Sequence, residues 1–396
     1  MRHDPTKPER ARVPQASTND YTREMAELRR AFVRAQTGAE LRHSAQHSFE
    51  PSLLPGTVES FMGVTQVPLG VAGPLRVLGE QAQGDFFVPL ATTEGTLIAG
   101  LDRALRLVDE CGGIKTTVVD GALPRAPVFT LEDARAARAL ATWIQQHFAA
   151  IQQAAEQTTS IGKLRDLQCV TAGPNLFLRF GYATGDVAGQ NLTHKATLAA
   201  CEWIRSAHPD RPAYQVAGGL DADRRQAQVH ALLGCGRRVV AELVVKVEPC
   251  ARILGVTPTQ LLRARELAQL GHALAGSGHA SGSPASALAA LFLATGQDLG
   301  QLAVAHAGLT YLRPLAQDEL YWSLTLPGLV IGTYGGGTGL PTQREALSML
   351  DCYGKDKADK FAEICAALAL SAELVQGARD LLGETLGSDK YARNRP

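Results

Sequence analysis

Apolar positions along this chain recur in two registers, and the switches between them mark its elements. Met25, Leu28, Phe32 and Val33 fall at helical spacing within 21–35, so an amphipathic helix is predicted there; a second short element after Gly38 leads to Pro51 and Pro55. From Val58 to Leu78 the apolar run is broken by Gly70, Gly73 and Pro74, which reads as an extended segment with a tight turn, and Phe86 to Leu90 returns as its partner strand. Leu97, Leu101, Leu105 and Val108 then take up helical spacing. Near Arg125 the character changes: a strand over 126–131, a helix over 132–157 with Leu140, Ile144, Phe148 and Ile151 on one side, strands over 163–171 and 175–184, and a helix over 191–206. Beyond a β-rich run at 237–247, helices are predicted over 258–274 and 285–295, separated by the small-residue loop 276–284. Strands over 322–326 and 329–333 lead into the turn Gly335-Gly-Gly-Thr-Gly339, and a helix over 357–382 is the last element. With no internal repeat, the class is α+β.

Composition narrows the picture. A chain of 396 residues, 45% hydrophobic and 20% charged, is long enough for two or more domains around a large core. The formal net charge of zero gives no electrostatic reason to expect nucleic acid or an anionic membrane as partner. The apolar stretch Ala285–Ala294 is too short to span a bilayer and the N-terminus has no signal-type apolar core, so a cytoplasmic location is expected. Seven scattered cysteines without a Cys-x-x-Cys pair fit reduced thiols, and no metal is implied. Residues 1–20, with three prolines and no periodicity, read as a mobile tail.

Candidate chemistry centres on Glu94. The run Val88 to Ala91 delivers this carboxylate into a Thr-Thr-Glu-Gly turn just before a helix. An acid held poorly solvated at such a turn has a raised pKa and donates protons near neutral pH; the plainer alternative is a helix cap or an arginine partner. Two stretches could hold a nucleotide. Thr184-Gly-Asp-Val-Ala-Gly-Gln-Asn191 opens a helix, whose N-terminus offers N–H groups to a pyrophosphate, although Asp186 also fits an N-cap. The 335–339 turn has neither Rossmann nor P-loop spacing, so composition alone makes it structural.

Four words occur in order: Val-Pro-Leu-Gly-Val-Ala-Gly-Pro-Leu at 67–75, Pro-Leu-Ala-Thr-Thr-Glu-Gly at 89–95, Ala-Thr-Gly-Gln-Asp at 294–298 and Gly-Gly-Gly-Thr-Gly-Leu-Pro-Thr-Gln-Arg-Glu at 335–345. Together they resemble the 3-hydroxy-3-methylglutaryl-CoA (HMG-CoA) reductase family, over the span from about Thr37 to the C-terminus. The resemblance implies a large α/β substrate and dimerisation domain (58–126 and 218–375) preceded by a helical segment (21–57). It also implies a small inserted ferredoxin-like NAD(P)-binding domain (127–217) and a C-terminal flap (376–396). It further implies a homodimer or assembly of dimers, a small-molecule substrate such as a CoA or carrier-bound acyl group, and NADPH or NADH as cofactor. The family reduces an acyl-CoA thioester in two hydride steps with a glutamic acid, a lysine, an aspartate and a flap histidine. Glu94 matches the first and Asp298 the third; Arg125 matches a substrate-contacting arginine; Asp186, Gly189 and Asn191 fall on the cofactor motif, with Gly336 and Gly337 in the site wall.

Other positions depart from the family. Its Asp-Lys-Lys becomes Asp223-Arg-Arg225, so the lysine falls on Arg224, with Arg225 beside it, and Lys246, at the end of the following strand, is poorly placed to deputise. The flap histidine falls on Ser388, or on Asp389 with the gap placed otherwise, and two amides and an imidazole of the substrate wall fall on Ser281, Ser283 and Ser286, with His279 nearby but out of register. Three readings stay open: an NAD(P)H-dependent oxidoreductase acting on a carbonyl other than that of HMG-CoA, a non-redox enzyme catalysing dehydration, addition or cyclisation, and a catalytically inactive homologue with a binding role.

Overall fold

A computed structural model describes residues 11–277, 279, 281 and 284–383. Helix α1 (Arg23–Thr37) is capped by the Thr22 hydroxyl and closed by left-handed Gly38. Its fully buried Arg29 bonds the carbonyls of Pro14, Asp20 and Phe61, so the segment 14–20, expected to be a mobile tail, is fastened to the body. The extended segment predicted from Val58 begins as a strand only at β1 (Leu69–Gly79), which pairs antiparallel with β2 (Gln83–Ala91).

After α2 (Leu97–Glu110) comes β3 (Ile114–Arg125), the strand that organises the molecule. Its first half pairs with β1 and with β8 (Gly236–Val245), while Leu123–Arg125 pairs with β6 (Asn175–Ala183), so one strand belongs to two groups of strands. Around β6 lie β4 (Val128–Thr130), β5 (Lys163–Ala172) and β7 (Ala213–Gln215). The long helix expected over 132–157 is two helices, α3 (Ala134–Gln146) and α4 (Phe148–Glu156). They part at His147, whose Nδ1 donates to the Trp143 carbonyl in competition with the helical ladder. With α5 (Gln190–Ala207) they cover a separate core of Phe129, Leu140, Ile144, Leu178, Phe180 and neighbours.

The second group of strands continues from β8 to β10 (Leu320–Leu329) and β9 (Leu309–Pro314). The strand expected over 322–326 lies within β10, the one expected over 329–333 does not continue beyond Leu329, and β9 was not anticipated: it is an edge strand with four of its six residues exposed, Leu309 and Tyr311 among them. Helices α6 (Gln228–Leu233), α7 (Val247–Leu254), α8 (Pro258–Leu274), α9 (Ala285–Thr295), α10 (Leu302–Ala305), α11 (Pro341–Met349) and α12 (Ala358–Leu382) complete the chain. α8 begins with a capping box between Thr257 and Gln260 and Pro258 in its first turn, the reason its start was readable. α12 is long and apolar enough to cross a membrane, yet 89% of its apolar window is buried inside the protein, as the central helix of the larger core. Residues 376–382, assigned to the flap, are its last turns, closed by left-handed Gly383; residues 384–396, Ser388 among them, lie outside the described residues.

Candidate active site

Two stems converge on one place. Ala91 at the end of β2 packs with Ala294 near the end of α9 and with Ala346, all nearly or fully buried. Glu94 follows three residues after the first stem and Asp298 four residues after the second. Glu94 is exposed, and its N–H donates to Thr92 Oγ1 at 2.9 Å. Poor solvation was expected of this acid; the turn instead lies at the rim of the chain. Behind it, left-handed Thr96 opens α2 and accepts a hydrogen bond from Arg379 Nη2 at 2.7 Å.

Asp298 leaves α9 through left-handed Gly296, and its Oδ1 caps the next turn by accepting from the Gly300 N–H at 2.9 Å. Its Oδ2 accepts from Arg224 Nη2 at 2.7 Å. The two residues, far apart in sequence, thus form a half-open ion pair, and Asp298 raises the pKa of the guanidinium further. Arg224 is itself left-handed, with φ of 55°, as is Ala222 at 47°. Two strained residues in one short loop persist because neighbours over-determine it.

Those neighbours are mostly residues that sequence reasoning missed. Fully buried Gln301 donates from Nε2 to Asp223 Oδ1 at 2.8 Å, and Arg125 Nη1 donates to Asp223 Oδ2 at 3.0 Å. Burial pushes the Asp223 pKa up, but the bonds from Gln301 and Arg125 outweigh it and hold the carboxyl below its usual range. Arg125 also donates from Nε to Thr193 Oγ1 and from Nη2 to the Gln190 carbonyl, at 2.9 and 3.0 Å. Arg125, expected to contact substrate, therefore has all three nitrogens engaged inside the protein and ties the Arg224 loop to the start of α5. Arg225 is exposed beside it.

The two candidate nucleotide stretches meet. A Cβ on Gly332 would lie 2.9 Å from the Ala188 nitrogen, and the Asp186 carbonyl accepts from the Thr333 N–H at 2.9 Å. Gln297 fastens this contact, bonding both the N–H and the carbonyl of Gly332. Gly189 has φ of 89°, and a Cβ there would sit 2.4 Å from Thr184 Cγ2, so only glycine fits. Gly189 leaves α5 without a side-chain cap, Asn191 in its first turn is exposed, and Gln190 Nε2 is a buried donor with no partner among the described residues. Gly336 is open, whereas Gly337 is backbone-packed on Gly296.

Asp186 is the clearest correction. Its carboxylate accepts the N–H groups of Asp356, Lys357 and Ala358 at 2.9, 3.1 and 3.1 Å. It caps α12, not its own helix, and is spent on structure.

Ser281 is also internal: fully buried, it donates to the His306 carbonyl and accepts from the Gly308 N–H, with His279 Nδ1 2.9 Å away. Ser286 sits half-buried in the first turn of α9, and Ser283 lies outside the described residues. Lys246 Nζ donates to the Glu110 carbonyl at the end of α2, in keeping with its poor placement for catalysis.

Buried His230 braces the Arg224 loop from beneath, its Nε2 donating to the Asp221 carbonyl at 2.9 Å. Burial lowers its pKa below the ordinary 6.5, and burial lowers that of His279 as well. In the window between the folded and ordinary values the unfolded chain binds more protons, so stability rises with pH there and is fully present above about 6.5. The unfolding temperature is expected to fall as pH is lowered from 7 to 5, and His230→Asn to flatten that slope; an unchanged slope in the variant would remove His230 from the account.

The family model described as hydroxymethylglutaryl-coenzyme A reductase matches residues 25–378. The 3-hydroxy-3-methylglutaryl-coenzyme A reductase of Pyrococcus abyssi is 39% identical over 364 residues, covering 90% of this chain and 89% of that protein. That of Methanocaldococcus jannaschii is 36% identical over 355 residues, covering 88% and 87%. Among solved structures, the class II 3-hydroxy-3-methylglutaryl-CoA reductase of Streptococcus pneumoniae bound to NADPH in open conformations superposes with a TM-score of 0.68 at 16% identity, over 92% of this chain and 100% of that one, a likeness of fold.

Proposed function

The chain belongs to the hydroxymethylglutaryl-coenzyme A reductase family, and from that premise we propose that it is a nicotinamide-dependent oxidoreductase reducing a carbonyl held between Glu94 and the Arg224–Asp298 pair. The observation that carries this reading is the 2.7 Å bond from Arg224 Nη2 to Asp298 Oδ2, which holds a permanent cation on the carboxylate that follows the second of the two stems joined at Ala91 and Ala294. A guanidinium polarises a carbonyl oxygen or grips a carboxylate, but it does not give up a proton. Proton supply therefore falls to Glu94, whose exposed carboxyl lies on the neighbouring stem.

The residues present fit a dinucleotide. The uncapped N-terminus of α5 with Gly189, Gln190 and Asn191, the unpartnered Gln190 Nε2, and the open backbone at Gly336 would hold it, NADPH or NADH. Bound there, the cofactor supplies hydride. The protein's own contribution is to orient the carbonyl, neutralise charge on its oxygen with Arg224 and protonate it from Glu94.

By the resemblance, the family's lysine falls on Arg224 and its flap histidine on Ser388 or Asp389, and a substrate whose reduction releases no thiolate suits that set. With HMG-CoA the protein is then expected neither to oxidise NADPH or NADH at an appreciable rate nor to release free CoA thiol. The assay follows nicotinamide absorbance and free thiol together. Strong signals in both would favour the second reading, HMG-CoA reduction, which the names of the relatives support. Nicotinamide fluorescence on titration separates either reading from a non-redox or inactive protein, for which no cofactor binding is expected.

The rim position of Glu94 supports a further element of the proposal: a second copy of the chain covers the 89–97 turn and completes the site. Light scattering at micromolar concentration is expected to show a dimer or a multiple of it; a monodisperse monomer would refute this.

A further inference from the structure

The strand that carries Arg125 also lines, at residues 120–122, a cleft of about 400 Å³ that the chemistry above does not use. At about 3.3 Å per residue the two places lie roughly 10–16 Å apart along β3, the scale that separates the two ends of an extended dinucleotide. Other walls of the cleft belong to the cofactor turn. Thr184 and Gly185 line it, Gly189 at the start of α5 packs directly on Thr184, and Ile161, itself 48% exposed, packs on Gly185. The start of α5 is thus joined to the Arg224 loop through Arg125 and to this cleft through Thr184. A pyrophosphate at that start, with its nicotinamide turned toward Arg224 and Asp298, leaves the cleft for the adenosine half.

Charge in the cleft is unevenly matched. Its charged side chains are Asp120, Arg165, Arg237 and Asp359. Arg237 donates from Nε to Asp359 Oδ1 at 2.6 Å and from Nη2 to the Gly185 carbonyl at 2.7 Å, and Asp120 Oδ1 lies 3.7 Å from Arg238 Nε. Arg165 remains. Its Nη1 donates to the Gly121 carbonyl at 3.2 Å, which pins the guanidinium to the cleft wall, and no carboxylate pairs with it among the described residues. The cleft therefore presents one unmatched cation, with Nε and Nη2 left for a ligand. A phosphate monoester brings about −1.5 to −2 charges at pH 7 and accepts from a guanidinium at two oxygens at once. A ribose hydroxyl in the same place gains far less from a permanent cation.

We propose that this cleft takes the adenosine end of the cofactor and that Arg165 binds its 2′-phosphate, so that the protein selects NADPH over NADH. The inference rests on the nicotinamide-dependent reading of the site and names the cofactor that reading leaves open.

Fluorescence titration of the purified protein is expected to give a dissociation constant lower for NADPH than for NADH by about tenfold or more, the scale of hydrogen bonds to a charged group. Adenosine 2′,5′-bisphosphate is expected to displace NADPH at lower concentration than adenosine 5′-phosphate, which tests the cleft without the nicotinamide. Arg165→Gln is expected to weaken NADPH by about tenfold and to leave NADH unchanged, whereas loss of a merely structural contact would weaken both alike. Should Arg165→Gln fail to fold, Ile161→Glu, which puts a carboxylate at the exposed mouth of the cleft, is expected to weaken NADPH more than NADH. NADH bound as tightly as NADPH, or an unchanged ratio in a folded Arg165→Gln or Ile161→Glu variant, overturns the inference and leaves the cofactor reading standing. If neither nucleotide binds, the cofactor reading itself falls and takes the inference with it.

Discussion

Replacing Glu94 with glutamine is expected to lower the rate of carbonyl reduction by about 100-fold or more, the usual scale of general acid catalysis, while the fold and ligand binding are kept. The side chain is exposed and, among the described residues, its carboxylate holds no other element in place; its backbone N–H donates to Thr92 Oγ1. The amide has nearly the same shape, so a loss of rate without a loss of unfolding temperature isolates the proton. A fully active glutamine variant would return Glu94 to a structural part.

The second large effect is on stability. Asp186→Ala removes the acceptor of three N–H groups at the start of α12. Hydrogen bonds to a charged group are worth about 1.5–3 kcal/mol, and a lost cap alone costs about 1 kcal/mol, so a loss of roughly 2–3 kcal/mol is expected. Chemical denaturation of the cofactor-free protein reads this directly. If Asp186 served the cofactor alone, the variant would unfold like the parent and lose only nicotinamide affinity.

How far the sequence carried the reading depended on whether the deciding partner was near in the chain. The bounds of α8 and α9 were readable because their caps and periodicity are local: a capping box with Pro258 opens α8, and Gly296 closes α9. The α+β class followed from the same signals. β9 was not readable, since its exposed Leu309 and Tyr311 are as apolar as its half-buried Leu312, so the alternation in burial leaves no alternation in the sequence. At the site, the motif words brought Glu94, Arg224 and Asp298 to attention, and the fold places Arg224 on Asp298. Asp186 was misassigned because the helix it caps begins 172 residues later; a local pattern shows an N-cap's own helix and no other. Gln301 was overlooked for the same reason: nothing in Leu-Gly-Gln announces that a distant Asp223 needs a buried donor.

The burial of α12 also bears on how the protein is made. This helix follows β3 by more than 200 residues, yet its residues Phe361 to Leu374 occupy the centre of the larger core and Glu363 accepts the N–H groups of Glu80, Gln81 and Ala82. During synthesis, β1, β2 and β3 therefore emerge without the helix that covers them, and they wait until residues 358–382 have been made. The smaller core, built only from residues between 129 and 204, can close while the ribosome is still working. Release of a nascent chain shortened by even this last helix would leave a broad apolar sheet open to chaperones or to aggregation.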